Sequence, residues 1–384
     1  MKNRSTLLRI PATGFLLVVA SLLTLLAPSA SAQEEGEIRR FEWPDETVEL
    51  FSELPVQSGG RIKPLDSLAG LSLLMMNGKR TLEAGIDWKM DENGELVAAE
   101  KQNLSPSAWL LDCFFFPEQA RAYRAFRIQD SSILTSIGLE SRKKRDWYSF
   151  NELLPGLSAL EKETDKAFRV EAAKRTPKQG QTIKLNQDLM NFERLIVFMD
   201  PMRREYSTGA TENLVGIFGL GNTHGLAGLL QHEAELRNLR RTALPDVGGD
   251  FAAVQNLLKE LDSAMRGTFN SPAIVPPQEH YSDQETWWQI ADVIRESVTE
   301  EHDHSDQIAI LASLEDMMAT RHDPVAFHKN LEVLHATLTG QATARGEYKH
   351  ISQEVALYRL DPFTNGLVTF MLAFLLMAAT WLKP

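Results

Sequence analysis

The stretch Leu54-Pro-Val-Gln-Ser-Gly-Gly-Arg-Ile-Lys-Pro-Leu-Asp-Ser-Leu-Ala69 gathers residue types that can bind an anion. Gly59 and Gly60 can reverse the chain, Pro64 fixes the approach, and Asp66 can cap a helix carrying Leu68, Leu71 and Leu74. Arg61 and Lys63 then stand on a constrained turn beside a helix start, a place suited to an anion or to a partner's carboxylates. The same residues also suit a well-made loop-to-helix junction with two solvated bases. Residue types alone leave both readings open.

Other groupings are weaker. Glu300-Glu-His-Asp-His304 with Asp306 collects ligands that suit zinc, nickel or copper. A solvated helix-start loop, whose acids suit the helix dipole, accounts for the run more simply. His328 and His335 share one edge of an apolar pattern with Phe327, Leu331, Leu334 and Leu338, so a core helix flanked by two hydrogen-bonded histidines is expected rather than haem ligation. Gly219-Leu-Gly-Asn-Thr-His-Gly225 has the look of a dinucleotide turn without a βαβ unit around it, and reads as a glycine-rich turn before a packed helix. Cys113, the single cysteine, excludes an intramolecular disulfide and reads as a small buried side chain. No His-Glu-x-x-His, Gly-x-Ser-x-Gly or phosphate-loop pattern occurs, so no catalytic residue and no metal ligand are assigned. Triads assemble from distant positions, which leaves an enzyme open without arguing for one.

The elements that would position these groups are mostly helical. Ser105-Pro106 opens a helix with Trp109, Leu110 and Cys113 on one face, and Pro117 to Phe126 reads as a second. Ser149-Phe-Asn-Glu152 is a capping box ahead of Leu153, Leu157 and Leu160. A periodic segment from Leu185 to Met199 stops at Asp200-Pro201, and further helices are expected over 224–241, 250–266, 284–298, 305–321, 324–340 and 346–360. Strand signals are confined to Val48–Phe51 and the Ile183 region. Arg175–Gln181, Ala243–Gly249 and Ser271–Gln278 read as linkers. The expected fold class is mainly α, in one or two packed units.

Both ends are apolar. Lys2, Arg4 and Arg9 precede an apolar run from Gly14 to Ala27 and an Ala30-Ser31-Ala32 site, the pattern of a signal peptide over residues 1–32. Residues 363–382 carry no charge and match the thickness of one bilayer core, with Trp381 and Lys383 at the far edge. The intervening 33–360 would be an extracytoplasmic body of an inner-membrane protein, with the C-terminus cytoplasmic. The formal charge of -12 becomes about -15 once the signal is removed, which argues against a nucleic-acid partner.

In order along the chain, these segments resemble the extracytoplasmic N-terminal region, with its first membrane helix, of large CcsA/ResC-type system II cytochrome c biogenesis proteins. The 54–69 stretch is similar to that family's opening block. Trp109-Leu-Leu-Asp-Cys-Phe-Phe-Phe-Pro-Glu118, Trp147-Tyr-Ser-Phe-Asn-Glu-Leu-Leu154, and Ile274-Val-Pro-Pro277 with Trp287-Trp288 resemble later blocks. Glu354, Tyr358, Pro362 and Phe363 are similar to the passage entering the first membrane helix, with Arg359 where the family carries Asn. The family's tryptophan-rich haem motif and haem-holding histidines have no counterpart in this sequence.

The resemblance implies a membrane-anchored component of c-type cytochrome assembly, non-catalytic by itself. It implies docking through Arg61, Lys63 and Asp66 on a multi-helix CcsA/ResC-type haem-delivery membrane protein. Glu354, Tyr358, Pro362 and Phe363 would form a membrane-proximal motif. No cofactor is expected on this chain alone, haem being reached only with the partner. An anchored interaction protein unrelated to haem, or an anchored hydrolase, are the alternative readings.

Overall fold

Asp45 and Glu46 supply the acids that favour a helix start, and Thr47 and Phe51, four residues apart, are both buried. The chain therefore opens with helix α1 (Asp45–Ser52), so Val48–Phe51 is helical and not the expected strand. The computed structural model describes residues 38–90, 96–142, 146–242, 250–277, 286–360 and 362–381, of which Ile38 onward forms one compact unit. The expected signal segment 1–32 and the linker 243–249 lie outside the described residues.

Next come strands β1 (Pro55–Ser58) and β2 (Arg61–Pro64), paired antiparallel with Ser58 opposite Arg61. Gly59 and Gly60 alone join them, with φ of 65° and 79°. Two consecutive left-handed residues make the turn that matches strand twist in a two-residue hairpin, and glycine adopts it without a Cβ penalty. Helix α2 (Leu65–Asn77) follows at once and ends on Gly78 at φ 80°. Its N-cap is Pro64, with no side-chain cap; Asp66 lies inside the first turn and is not the expected capping residue.

A long antiparallel hairpin, β3 (Leu82–Met90) with β4 (Leu96–Leu104), leads to α3 (Pro106–Phe115) and α4 (Pro117–Ala122). Ser105 accepts the Ala108 N–H at 3.2 Å, and Pro106 occupies the first turn, where its missing donor costs nothing. Every residue from Ser107 to Phe115 is buried, so α3 is covered all round, where one apolar face was expected. It packs against α1 and α2. Strand β5 (Phe126–Ile128) pairs with β6 (Asp146–Tyr148) across α5 (Ser132–Ser136). The Ser149–Glu152 capping box closes reciprocally at 3.1 and 2.8 Å over α6 (Phe150–Leu153), ahead of α7 (Leu157–Phe168).

Helix α8 (Pro177–Ile196) starts well before the expected Leu185. A second capping box, Thr176 with Gln179, and Pro177 at the first turn turn the expected linker 175–181 into a helix start and the Ile183 strand into helix. Phe192 of α8 stacks on Trp109 at 6.4 Å and meets Phe126 edge-on at 5.4 Å, tying α3, α8 and the β5–β6 pair into one aromatic core.

The second half is helical apart from β7 (Tyr206–Ser207) and β8 (Thr223–His224), which pair around α10 (Glu212–Phe218) after the short α9 (Asp200–Arg203). The expected 224–241 helix is broken into α11 (Leu226–Leu230) and α12 (Glu233–Thr242). Helices α13 (Asp250–Gly267), α14 (Ile290–Thr299), α15 (Ser305–Ala319) and α16 (Pro324–Ala344) complete the body. The 271–277 stretch is no free linker, since Ala273 bridges Gln57 of the hairpin and Val275 bridges Trp288. Phe327 of α16 meets Phe115 at 4.8 Å and Trp43 at 4.9 Å, joining the two halves.

Helix α17 (Ile351–Leu360) leads to α18 (Pro362–Trp381). Among the described residues this run contains the one helix long and apolar enough to cross a membrane. It begins within a residue of the expected 363. The fold class is mainly α, as expected, and the sheets among the described residues are two-stranded.

Candidate docking site at the hairpin and helix α17

Strand periodicity places Arg61 and Lys63 on the same face of β2, and α17 packs against that strand. Glu354, on the first turn of α17, reaches across to Arg61. Its two oxygens accept from Nη1 and Nη2 at 3.1 Å each, a bidentate pair, while the Ser67 hydroxyl donates to Oε1 at 2.5 Å. One turn along α17, Tyr358 lies beneath the Arg80 guanidinium, 3.7 Å from ring centroid to Cζ. Arg80 also stands 3.9 Å from Asp66, which accepts from the Ser107 hydroxyl at 2.9 Å. Gly70 makes this possible: a Cβ there would fall 2.5 Å from the Arg80 guanidinium.

Hairpin, α2, α3 and α17 are therefore linked by one polar cluster. Arg61, His350, Gln353, Glu354, Leu357 and Tyr358 line a shallow depression of about 400 Å³ over it. Arg359 adds a second tie, donating to Glu49 at 2.9 Å and to Ser52 at 3.2 Å on α1.

Two expectations change here. Arg61 is exposed, but it is not a free cation awaiting a partner, because Glu354 already holds it. Lys63 does not stand free in solvent; it is 7% exposed. Burial lowers its ammonium pKa, the Arg61 charge lowers it further, and Glu354 opposes both. Pro362 opens α18 at the end of the motif, and Phe363 follows it in the same helix. No role was expected for Ser67, Arg80 or Ser107, since nothing local distinguishes them from ordinary surface or helix-start residues.

The remaining groupings lie apart from this cluster. His304 is fully buried, its Nδ1 2.8 Å from Glu233, which also pairs with Arg237 at 3.3 Å. The 300–306 run is thus drawn partly inward, and the described residues contain no group of His, Cys, Asp and Glu arranged to hold a metal. His328 bonds Thr47 at 3.0 Å as expected of a helix flank, whereas the Nε2 of His335 has no partner among the described residues and burial lowers its pKa. Gly219 and Gly221, at φ 86° and 137°, belong to the turn before β8. Trp287 donates to Glu347 at 2.9 Å. Cys113 is buried, and burial together with Asp112 pushes its thiol well up, away from the thiolate that reactivity needs.

The most elaborate polar network was also missed. Asp112, wholly buried, accepts from Arg39 Nε at 2.9 Å, Trp43 Nε1 at 2.8 Å and the Tyr123 hydroxyl at 2.6 Å. Gln119 completes it by donating to Tyr123 at 2.8 Å and accepting the Arg39 backbone N–H at 2.9 Å. The two charges are paired and both Asp112 oxygens accept hydrogen bonds, the condition under which a buried ion pair is tolerated. No protein-family model matches the chain, and no curated protein matches it.

Proposed function

We propose that this chain is a membrane-anchored extracytoplasmic component of c-type cytochrome assembly, non-catalytic by itself, working beside a multi-helix haem-delivery membrane protein. In this reading α18 is the anchor, the body lies outside the cytoplasmic membrane and the C-terminus lies inside. One observation carries the reading. The opening block of the resemblance, with Arg61, Lys63 and Asp66, and its closing block, with Glu354 and Tyr358, meet in one cluster although Arg61 and Glu354 are 293 residues apart. That cluster sits on the helix that runs into the apolar α18, so it supports a role in fixing the body relative to the anchor and in offering a defined surface to a membrane partner.

Deleting the gene and staining cell extracts for covalently bound haem tests the proposal. Loss of holo-cytochrome c, restored by the full chain, is expected. Undiminished holo-cytochrome c in the deletion strain would refute it.

A further inference from the structure

A second cleft, of about 440 Å³, opens between the hairpin, α2, α8 and the 270–272 segment. That volume lies within the range of small-ligand sites. Its wall contains two cations, Lys63 and Arg194, and neither has a carboxylate within ion-pair distance among the described residues. Arg194 donates only to Asn191, at 3.2 Å. Lys63, a residue only 7% exposed, lines the cleft and makes no hydrogen bond with the described residues. The Ser271 hydroxyl, on a residue 5% exposed, lines the same cleft and is likewise unpartnered.

The single acid in the wall, Asp188, is already engaged on one oxygen by Lys184. The cleft is therefore net positive. The largely buried Lys63 makes no ion pair with the described residues, its Glu354 counter-charge lying beyond ion-pair distance, and this leaves the ammonium able to receive an anion. The mouth is apolar: Leu71 and Met75 line the cleft and are also among the exposed large hydrophobics, 37% and 51% accessible, with Leu74 beside them on α2. An inorganic anion would neutralise the cations and leave that rim in water.

We infer that this cleft binds an amphiphile with one anionic head group, the head directed to Lys63 and the apolar part along Leu68, Leu71 and Met75. The inference does not depend on the cytochrome-assembly reading, although Lys63, Leu68 and the hairpin belong to the opening block that reading uses. A soluble carboxylate and an anionic membrane lipid share this chemistry.

Calorimetry on the full chain in phosphatidylcholine nanodiscs tests it, with sodium octanoate, octanol and inorganic phosphate as probes. Octanoate is expected to bind with one-to-one stoichiometry, at least about tenfold tighter than octanol or phosphate. Lys63→Met should weaken octanoate about tenfold, and Lys63→Arg should retain most of the affinity. Met75→Gln, at an exposed position that leaves the fold intact, should weaken it by about threefold through the rim alone. Phosphatidylglycerol nanodiscs separate the sources: competition with octanoate identifies a lipid head group, and undiminished octanoate binding identifies a soluble carboxylate. Parent affinity in a folded Lys63→Met protein, equal binding of octanol, or phosphate binding as tightly as octanoate would each overturn the inference.

Discussion

At the scale of single residues, what matters is which charges are paired and how deeply they lie. Asp112 holds three donors in a dry environment, so Asp112→Ala strands the Arg39 guanidinium without a counter-charge. We expect a loss of about 3–5 kcal/mol in chemical denaturation, far beyond a surface substitution. Glu193 on α8 behaves oppositely. Burial pushes its carboxyl up to about 7, with Glu161 adding to the rise and Arg121 opposing it. The folded state then holds a proton that the unfolded chain releases near the ordinary carboxylate value. Stability should fall as pH rises from about 4.5 to about 7 and level off above, by at most about 3 kcal/mol. Glu193→Gln, neutral throughout, should flatten that slope in melting temperatures measured across the range; an unchanged slope would assign it to other groups.

At the scale of elements, the local signals that chemistry enforces were the legible ones. Gly59-Gly60 announces a reversal because two consecutive positive φ angles exclude most other residues. Gly60, at φ 79°, has no atom within 4 Å of an added Cβ, so Gly60→Ala meets only backbone strain. It should cost about 1–2 kcal/mol in denaturant unfolding, and the loss should not grow much with side-chain size. The Ser105 and Ser149 caps were readable for the same local reason. The false strands at Val48–Phe51 and around Ile183 came from short β-branched, apolar runs. Acids in the first turn decided the former, and the Thr176–Gln179 capping box the latter. Lys63 was misplaced because a lysine beside a double glycine reads as solvated, and only the packing of α2 and α17 against β2 buries it. The Arg61–Glu354 pair has no local signal at all, since its partners come from opposite ends of the chain.

At the scale of the whole molecule, a helical body is joined through α17 to an apolar α18. We propose that α18 spans the membrane and that the mature chain begins at Gln33. The protein should stay with membranes after an alkaline carbonate wash, and N-terminal sequencing should read from Gln33; a retained Met1 would contradict the cleavage. The cluster of Arg61, Glu354, Tyr358, Arg80 and Asp66 ties the body to α17, the helix that leads into the proposed anchor. Arg61 is more than half exposed, so its pair with Glu354 contributes only about 1 kcal/mol and reversing one charge should leave the fold intact. Arg61→Glu and Glu354→Arg, each as the only copy in cells and each checked for normal abundance, are therefore compared with the double exchange by covalent haem staining. The account predicts a several-fold fall in holo-cytochrome c for each single reversal and substantial recovery in the double exchange. Wild-type holo-cytochrome c with either single reversal would contradict it.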